Sequence, residues 1–399
     1  MAGGADVVVV GGGIVGCAIA YELTTRGASV VLVERDEFAA GASGRNHGLL
    51  VAPLDPVLVP MADATLASYR DFAPSAPLNI SLDRDPIGYL IVSDDDEERR
   101  RAGQEEADAA ASCGVTVEQL TAEEVLRLEP SIDPRVVAEG WLLEDVRRVQ
   151  PSPLTVSLGL AAAAGGATIH RHLSVRELIV EGDRVRGVST DEGEFRSEHV
   201  VVAAGPWSAP LLRSAGLELP IMPGRGWLVG LAPEQALFAR VLGRAGWHSP
   251  PNPEGLPLPR AGDVMEAAPS TQVGTFLQPN ADGTVVVGGS RQLALTNEPE
   301  DPRIPHLLLQ GAIRMVPSLA EARVLSAWWG LRPMTPDGRP LVGKLMDGLV
   351  VASGHGSLGV TLAGGTARLV SGLIAGAAGP FDPTPFDPAR FLAPTSTRA

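Results

Sequence analysis

Short, uninterrupted apolar runs are the clearest hydrophobic pattern in this chain. They lie at residues 6–10, 29–34, 200–205 and 349–352. Because these runs are rich in valine and have few polar positions, they predict strands buried on both faces, as in a parallel sheet. Between the first two runs, apolar residues recur at helical spacing from Ile14 to Arg26, and Gly27 is a typical left-handed stop. The pattern therefore predicts a βαβ unit.

Turn residues divide the rest of the chain into hairpins and a late helix. Segment 175–196 alternates short apolar runs with acidic glycine turns, and 272–277 and 284–287 flank a turn at 279–283. Both patterns predict β-hairpins. The last apolar run leads through a glycine-rich turn at 354–359 into a predicted helix that ends near Ala378. Five prolines at 250–259 predict an exposed irregular loop.

Length and charge narrow the fold and the partners. The chain has 399 residues, which favours two domains over a single core, and its 47 Asp and Glu against 32 Lys and Arg give a net charge of −15. The densest basic run, at 99–101, lies among acidic residues and predicts a solvated helix face. The sequence concentrates no basic patch, so we expect neither nucleic acid nor an anionic membrane as a partner.

The cysteine, histidine and hydropathy patterns argue against disulfides, a metal site, a secretion signal and a membrane-spanning segment. Cys17 and Cys113 are the two cysteines and form no C-x-x-C pair, and no histidine pair has ligand spacing with a carboxylate, so we expect neither disulfides nor a metal site. Five residues precede the first apolar run, too few for a secretion signal. The late apolar stretch at 358–381 contains Arg368 and several glycines. We therefore expect a cytoplasmic protein without an integral membrane segment.

A glycine motif follows the first predicted strand directly. Residues 11–16 are GGGIVG and satisfy G-x-G-x-x-G at the start of a predicted helix. In this pattern Gly11 allows a tight turn, Gly13 lets the backbone approach a pyrophosphate, and Gly16 permits close packing of helix on strand. Glu34 ends the second strand, where a carboxylate can accept hydrogen bonds from a ribose diol. The motif predicts a dinucleotide site but does not separate FAD from NAD.

Four later segments separate these two cofactors. They are ASGRNHG (42–48), VAAGPWS (202–208), GLRPMTPDGRP (330–340) and GHG (354–356). Together with the glycine motif they resemble the FAD-dependent D-amino acid oxidase superfamily, the group of glycine oxidase, sarcosine oxidase and D-amino acid dehydrogenases. The resemblance implies an α/β fold, with a Rossmann-type FAD-binding domain and a second domain built on a mixed or antiparallel sheet. We expect the FAD-binding domain at 1–80, 150–220 and 325–399, and the substrate domain at 81–149 and 221–324.

The resemblance also implies which residues hold FAD. The implied contacts are Gly11, Gly13, Ile14, Val15, Gly16, Glu34, Arg35, Ala42, Ser43, Gly44, Asn46, His47, Gly48, Leu49, Val175, Ala204, Gly205, Trp207, Arg332, Gly354, His355, Gly356, Ser357, Leu358, Gly359 and Val360. Some relatives attach FAD covalently, and sarcosine oxidases do so through a cysteine near 331–335. This chain has no cysteine there, and His47 is more simply explained by packing near the flavin ring. We therefore expect non-covalent FAD.

The late glycine turn has a physical logic of its own. It ends a strand and begins a helix, so its free N–H groups and the positive helix end can face the N1/O2 edge of the flavin, where hydride transfer leaves negative charge. The alternative is a glycine turn selected for packing. His355 in this turn and His47 in the earlier loop are our candidate catalytic histidines.

Arg332 is the candidate substrate anchor and the third candidate catalytic residue. In the family, the arginine of the Gly-Leu-Arg-Pro motif holds the substrate carboxylate, because a planar guanidinium binds a carboxylate through two parallel hydrogen bonds. The alternative is a structural arginine paired with Asp337. Glycine oxidases carry a second arginine in the late glycine turn, whereas this chain has none there. Its substrate range is therefore expected to differ from glycine.

Arg225 and Trp329 are further candidates for substrate contact. Arg225 lies where relatives enter the substrate sheet, and a surface salt bridge is an equally good explanation of it. Tryptophans line apolar pockets but are more often core residues.

The predicted function is FAD-dependent oxidation of the C–N bond of an amino acid or related amine. The neutral amine substrate passes hydride to flavin N5, and the imine product hydrolyses. One alternative is a 2-hydroxy acid dehydrogenase of the same superfamily, with His355 or His47 as the base. Another is a flavin-binding subunit without turnover. Oxygen and an electron-transfer acceptor both remain open as the oxidant.

Overall fold

The computed structural model describes residues 4–246, 271–293, 300–377 and 379–392. The loop predicted at 250–259 lies outside these ranges. The strands are β1 (Ala5–Val10), β2 (Val30–Val33), β3 (Leu49–Val51), β4 (Tyr89–Ser93), β5 (Val117–Thr121), β6 (Glu139–Leu143), β7 (Val146–Arg148), β8 (Thr168–His170), β9 (Val175–Glu181), β10 (Arg184–Thr190), β11 (Gly193–Val202), β12 (Met222–Ala232), β13 (Val241–Arg244), β14 (Thr271–Pro279), β15 (Val285–Leu293), β16 (Arg323–Met334), β17 (Leu341–Met346) and β18 (Leu349–Ser353). The helices are α1 (Ile14–Thr25), α2 (Val59–Phe72), α3 (Glu97–Ser112), α4 (Ala122–Leu128), α5 (Pro151–Ala164), α6 (Ser208–Arg213), α7 (Arg303–Met315) and α8 (Gly359–Ala375).

The first sheet has the main strand order β17-β18-β11-β1-β2-β8, which is parallel except at β17. Off this path, β10 pairs antiparallel with β11 and with β9. On one face, Val7 and Val9 pack with the layer of helices α1, α2, α5 and α8. On the other face, Val8 and Val10 pack with the β9–β10 hairpin and α6. Since both faces are covered, every position of β1 from Val7 onward is apolar, which explains the uninterrupted runs in the sequence.

The second sheet has the order β16-β12-β15-β14-β13-β4-β6-β5 and is antiparallel except between β13 and β4. One face packs on α7 through Leu308 and Ala312. The other face packs on α3, where Trp141 of β6 lies against Ala107 and Ala110. The chain is therefore an α/β protein with one mostly parallel and one mostly antiparallel sheet, as the sequence predicted.

Membership of the two large sheets follows the predicted division of the chain except at β16, and a third, two-stranded sheet pairs β3 with β7 across the predicted bounds. Residues 325–334 were assigned with the late FAD-binding segment, but they belong to β16, which pairs along its length with β12 in the second sheet. Because β16 is the edge strand that leads back to the first sheet, its last residues lie where the two sheets meet. The predicted domain bounds themselves stay a prediction.

Most elements predicted from apolar runs are present. Helix α1 ends at Thr25, Gly27 has the left-handed φ of +86°, and the late helix α8 ends at Ala375. The acidic and basic run around residue 99 lies on α3, which is largely solvent-exposed. Among the residues that the structure describes, no helix combines the length and apolar character needed to cross a bilayer.

Candidate active site

A cavity of about 500 Å³ lies between the two sheets. The first sheet contributes the carboxyl ends of β1, β2, β11 and β18 together with the N-termini of α1 and α8, and the second sheet contributes β12, β14, β15 and β16. Ligands of open α/β sheets bind beyond the carboxyl ends of the strands, at the position where the strand order reverses. β1 sits at such a point, because β2 and β11 continue on its opposite sides.

The glycine turn after β1 forms one end of this cavity. Gly11 has a φ of +116°, and a Cβ there would lie 2.5 Å from the carbonyl oxygen of Ala203. A Cβ at Gly16 would overlap the carbonyl oxygen of Gly11, so both glycines are required by the packing of helix on strand. Gly13 lines the cavity, and its missing side chain leaves the N-terminus of α1 open.

Glu34 and Arg35 lie beside the glycine turn. The N–H of Gly12 donates to Oε2 of Glu34 at 2.5 Å, and the N–H of Asp36 donates to Oε1 at 2.8 Å. The guanidinium carbon of Arg35 lies 3.7 Å from the ring centroid of Trp207, which is a cation–π contact. These side chains and Val175 line the same end of the cavity.

The loop at 42–48 crosses the middle of the cavity and is held by its own side chains. Oγ of Ser43 accepts a 2.9 Å hydrogen bond from the N–H of Ile14, which ties the loop to α1. Nδ2 of Asn46 donates to the carbonyls of Ala42 at 2.9 Å and Ser43 at 2.8 Å, and its Oδ1 accepts from the N–H of Gly48 at 2.8 Å. Asn46 therefore fixes the shape of the loop and also lines the cavity.

His47 contacts the second sheet from this loop. Its ring lies edge-on to Phe276 of β14, with 4.8 Å between ring centroids. A Cβ at Gly288 of β15 would overlap Nε2 of His47, so this glycine makes room for the imidazole. His47 is thereby packed where both sheets meet the cavity.

The late glycine turn closes the same region. Gly354 has a φ of +80°, and a Cβ there would lie 2.5 Å from Cγ2 of Thr335. The N–H of Gly356 donates to the carbonyl of Pro333 at 2.8 Å, which joins the turn to the Gly-Leu-Arg-Pro segment. In the described chain, α8 has no side-chain cap and no acidic residue in its first turn, so its N-terminus is open toward the cavity.

His355 is almost completely buried, with 3% of its surface exposed. Its Nε2 lies 2.9 Å from Oγ1 of Thr366 on α8. Burial disfavours the imidazolium and lowers the pKa of His355 to about 4. The residue is therefore neutral at neutral pH.

Arg332 lines the part of the cavity formed by the second sheet, near the end of β16. A Cβ at Gly226 on the neighbouring β12 would overlap the guanidinium, so Gly226 provides the space that Arg332 occupies. Nη1 of Arg332 donates to the carbonyl of Ser290 at 3.1 Å. Burial, and to a smaller degree the charge of Arg291, lowers the pKa of Arg332 to about 10, so it stays cationic at neutral pH.

Arg225 and Trp329 lie on the opposite face of the sheet. Gly226, Leu228, Gly330 and Arg332 line the cavity, and in a strand alternate residues point to opposite faces. Arg225 is 1% exposed, and its guanidinium lies 4.8 Å from the Trp329 ring centroid. Neither residue lines the cavity, so the structure corrects the expectation of substrate contact for both. Arg225 is not a surface residue either.

The sequence analysis did not predict three side chains with which the second sheet lines the cavity: Arg291, Phe276 and Leu228. It also did not predict the lining glycines Gly226, Gly289 and Gly330. Gly289 of β15 has a φ of +106°, and the pairing of β15 shifts by one residue beside it. Gly288 faces His47, which lines the cavity, and Arg291 lines the cavity as well. Gly288 and Arg291 are three residues apart, so in a regular strand they would point to opposite faces of the sheet. The Gly-Gly pair at 288–289 was the available signal, since glycine inside a strand marks a bulge or a close approach.

Most predicted cofactor contacts line the cavity, and four do not. Those that line it are Gly11, Gly13, Ile14, Val15, Glu34, Arg35, Ala42, Ser43, Asn46, His47, Gly48, Leu49, Val175, Ala204, Gly205, Trp207, Arg332, His355, Gly356, Ser357, Gly359 and Val360. Gly16, Gly44, Gly354 and Leu358 lie behind the wall, where the three glycines allow close approach of neighbouring backbone or side chains. Their contribution is to the shape of the turns.

Comparison with known proteins identifies the family. The family model described as DAO, FAD dependent oxidoreductase, matches residues 6–373. The chain belongs to this family. It is 30% identical over 388 residues to the glycine oxidase of Pseudomonas aeruginosa, covering 96% of this chain and 98% of that one. It is 29% identical over 442 residues to a D-amino acid dehydrogenase of Cereibacter sphaeroides, covering 97% and 96% of the two chains.

The architecture of this FAD-dependent oxidoreductase also matches a solved structure. The crystal structure of glycine oxidase from Geobacillus kaustophilus superposes with a TM-score of 0.83 at 25% identity, covering 98% of this chain and 99% of that one. The resemblance noted from the sequence is thus confirmed over nearly the whole length.

The cavity residues fit FAD, the cofactor of the family. Two helix N-termini without a side-chain cap, at Gly13 and Gly359, line the cavity and would offer N–H groups to the anionic parts of a bound FAD. Glu34 would place a carboxylate beside a bound ribose at the end of β2. Among the described lining residues, the acidic ones are Glu34 and Asp36, both directly after β2. The part of the cavity near Arg332 is therefore cationic in the described residues.

Proposed function

We propose that this FAD-dependent oxidoreductase oxidises the C–N bond of an amino acid or related amine. One support is that its relatives include a glycine oxidase and a D-amino acid dehydrogenase. The observation that carries the proposal is the buried guanidinium of Arg332 in the cavity wall, in space left by Gly226. A cation buried in this way gains stability from a bound carboxylate.

Arg332 orients the substrate in this proposal. Its planar guanidinium binds the α-carboxylate through two hydrogen bonds and so fixes the rotation of the substrate. Bound FAD supplies the acceptor for the hydride that leaves the α-carbon, and the released imine is hydrolysed by water. The open N-terminus of α8 lies beside the same space and stabilises negative charge there. Catalysis then rests on positioning rather than on a strong base.

Oxidation of a 2-hydroxy acid is less well supported by the same geometry. That reaction needs a base for the hydroxyl proton. Burial lowers the pKa of His355 to about 4, and its Nε2 is already hydrogen-bonded to Thr366, so it is a weak base. His47 is packed between Phe276 and Gly288. A flavin-binding subunit without turnover is disfavoured because Arg332 and the glycine turn are both intact.

Anaerobic mixing of the flavin-loaded protein with panels of amino acids, amines and hydroxy acids tests the proposal. We expect bleaching of the flavin by amino acids or amines alone. Bleaching by hydroxy acids alone would favour the dehydrogenase alternative, and no bleaching by any compound would favour the subunit alternative. Adding air or a dye acceptor to the reduced protein then identifies the oxidant, since the relatives include both an oxidase and a dehydrogenase.

We further propose that FAD is bound non-covalently. The supporting observation is that residues 331–335 contain no cysteine, and His47 is explained by its packing on Phe276. Acid precipitation is expected to release the flavin into the supernatant. A yellow pellet that becomes colourless in His47→Ala would overturn this. A cytoplasmic location stays a prediction from the sequence.

A further inference from the structure

The second sheet contributes another arginine, Arg291, to the cavity wall near Arg332, and the family motifs do not account for it. It reaches the cavity because the positive φ of Gly289 interrupts the alternation of β15. Nη1 of Arg332 donates to the carbonyl of Ser290, the residue before Arg291, so the two arginines are anchored to adjacent positions of one strand.

Two guanidinium groups in one cavity wall make that wall suited to anions. Burial lowers the pKa of Arg291, and burial together with the charge of Arg291 lowers the pKa of Arg332. Each shift means that burial in this wall disfavours the cationic form. A bound anion relieves this cost for the arginine that it contacts, so a ligand with two anionic groups relieves it twice.

We propose that Arg332 and Arg291 each bind one carboxylate, so that the preferred substrate is an amino dicarboxylate rather than an amino acid with one carboxylate. This rests on the proposed function, in which Arg332 holds the carboxylate next to the reacting C–N bond. A carboxylate held by the fork of Arg332 uses both of its oxygens. Arg291, which lines the same cavity from β15, binds the second carboxylate of the substrate and determines specificity through it.

The test compares matched substrates that differ by one charge. The pairs are aspartate with asparagine, glutamate with glutamine, each as both enantiomers, and iminodiacetate with N-methylglycine. The rate constant for anaerobic flavin reduction at low substrate is measured for the holoenzyme. We expect the diacid to react at least about tenfold faster than its partner in one pair or more, the factor that corresponds to about 1.4 kcal/mol.

Two variants assign this preference to Arg291. Arg291→Gln is expected to bring the ratio of the favoured pair close to one by slowing the diacid more than its singly charged partner. Arg291→Lys keeps the charge and is expected to retain a preference. Arg323→Gln removes the same charge from the exposed start of β16 and is expected to leave the ratio as in wild type. Flavin absorbance per protein confirms that each variant is loaded.

Binding of unreactive acids gives a second readout that does not depend on turnover. The flavin spectrum is titrated with succinate and with acetate, and we expect succinate to bind at least about tenfold more tightly in wild type. This measurement needs wild-type protein only, so it stands even if Arg291→Gln fails to fold.

The proposal is overturned if wild type treats every pair alike and binds succinate no better than acetate. It is also overturned if Arg291→Gln slows both members of a pair equally, because Arg291 would then share the single α-carboxylate with Arg332. Failure of the proposed function looks different, since then no amino acid of either set reduces the flavin.

Discussion

At the residue scale, the cavity depends on glycines that make room for a functional side chain. Gly226 leaves space for the guanidinium of Arg332, and Gly288 leaves space for the imidazole of His47. In each pair the two residues come from different elements, so the missing side chain of a glycine on one element leaves room for the side chain of a residue on the other. A larger residue at either glycine would force Arg332 or His47 to move.

Replacing Arg332 by lysine keeps the charge and removes the planar fork. If Arg332 holds the substrate carboxylate, kcat/KM for an amino acid should fall by the equivalent of about 2–4 kcal/mol, while FAD content stays unchanged. Steady-state kinetics and flavin absorbance measure both. Arg323→Lys, at the exposed start of the same strand, is the matched control. Wild-type activity in Arg332→Lys, or equal wild-type activity on the decarboxylated amine, would show that Arg332 holds no carboxylate.

The lowered pKa of His355 makes the free energy of unfolding depend on pH. Its pKa in the folded chain is about 4 against an ordinary value of 6.5, so between these values the unfolded chain binds more protons. The contribution of neutral His355 to the free energy of unfolding is therefore complete above pH 6.5 and is lost as the pH falls to about 4. The shift corresponds to about 3 kcal/mol.

We accordingly expect the free energy of unfolding of His355→Gln to change less than that of wild type over this pH range. Denaturant unfolding at several pH values measures the two slopes. His306→Gln changes an exposed histidine on α7 and is expected to keep the wild-type slope. An equally steep loss of stability in His355→Gln would mean that other groups cause it.

At the element scale, the register between β12 and β16 decides which residues face the substrate. Gly226 pairs with Gly330 and Gly224 pairs with Arg332, so Arg332 has glycines as its neighbours in this strand pair. A one-residue slip would exchange the cavity face for the one that carries Arg225 and Trp329. The sequence motif at 330–333 identifies these residues, but it does not specify which of them point into the cavity.

Gly226→Ala tests this arrangement. The added Cβ would overlap the guanidinium of Arg332, and a displacement of about 1 Å at a positioning group costs on the order of 100-fold in rate. We expect kcat/KM to fall by about that factor while FAD content is kept. Gly230→Ala on the same strand adds a Cβ whose nearest neighbour, on Trp328, is 3.4 Å away, and it should behave as wild type. Equal kcat/KM in the two variants would contradict the assigned role of Gly226.

The elements also show how far the sequence could predict this molecule. Strands β1, β2 and β18 were predictable because burial on both faces leaves a continuous apolar run, and the late turn was predictable from its glycines. Arg225 was misplaced because its burial against Trp329 depends on sheet pairing between distant segments. Arg291 was missed because a bulge at Gly289 changes the face that it points to. Such features depend on backbone geometry that residue order alone does not specify.

At the scale of the whole molecule, both sheets line the cavity, so an FAD bound there would contact both of them. The N-termini of α1 and α8 belong to the first sheet's layer, whereas Phe276, Arg291 and Arg332 belong to the second sheet. A ligand that contacts both walls binds the folded chain and not the unfolded one. FAD is therefore expected to raise the free energy of unfolding, by about 2.7 kcal/mol at a free concentration of 100 times Kd.

Gly16→Ala tests whether FAD stabilises the chain by binding at the glycine turn, as distinct from the stability that the chain has without FAD. Its Cβ would overlap the carbonyl oxygen of Gly11 and push α1 away from the turn that fits the pyrophosphate, so FAD affinity should fall. Gly372→Ala also changes a glycine inside a helix, but its Cβ has no neighbour closer than 3.5 Å, and it should bind FAD as wild type does. The measurement is denaturant unfolding at increasing FAD concentration. We expect the midpoint to rise with FAD in wild type and Gly372→Ala, and to rise only at much higher FAD in Gly16→Ala. If Gly16→Ala is stabilised at the same FAD concentrations as wild type, the glycine turn does not hold the cofactor.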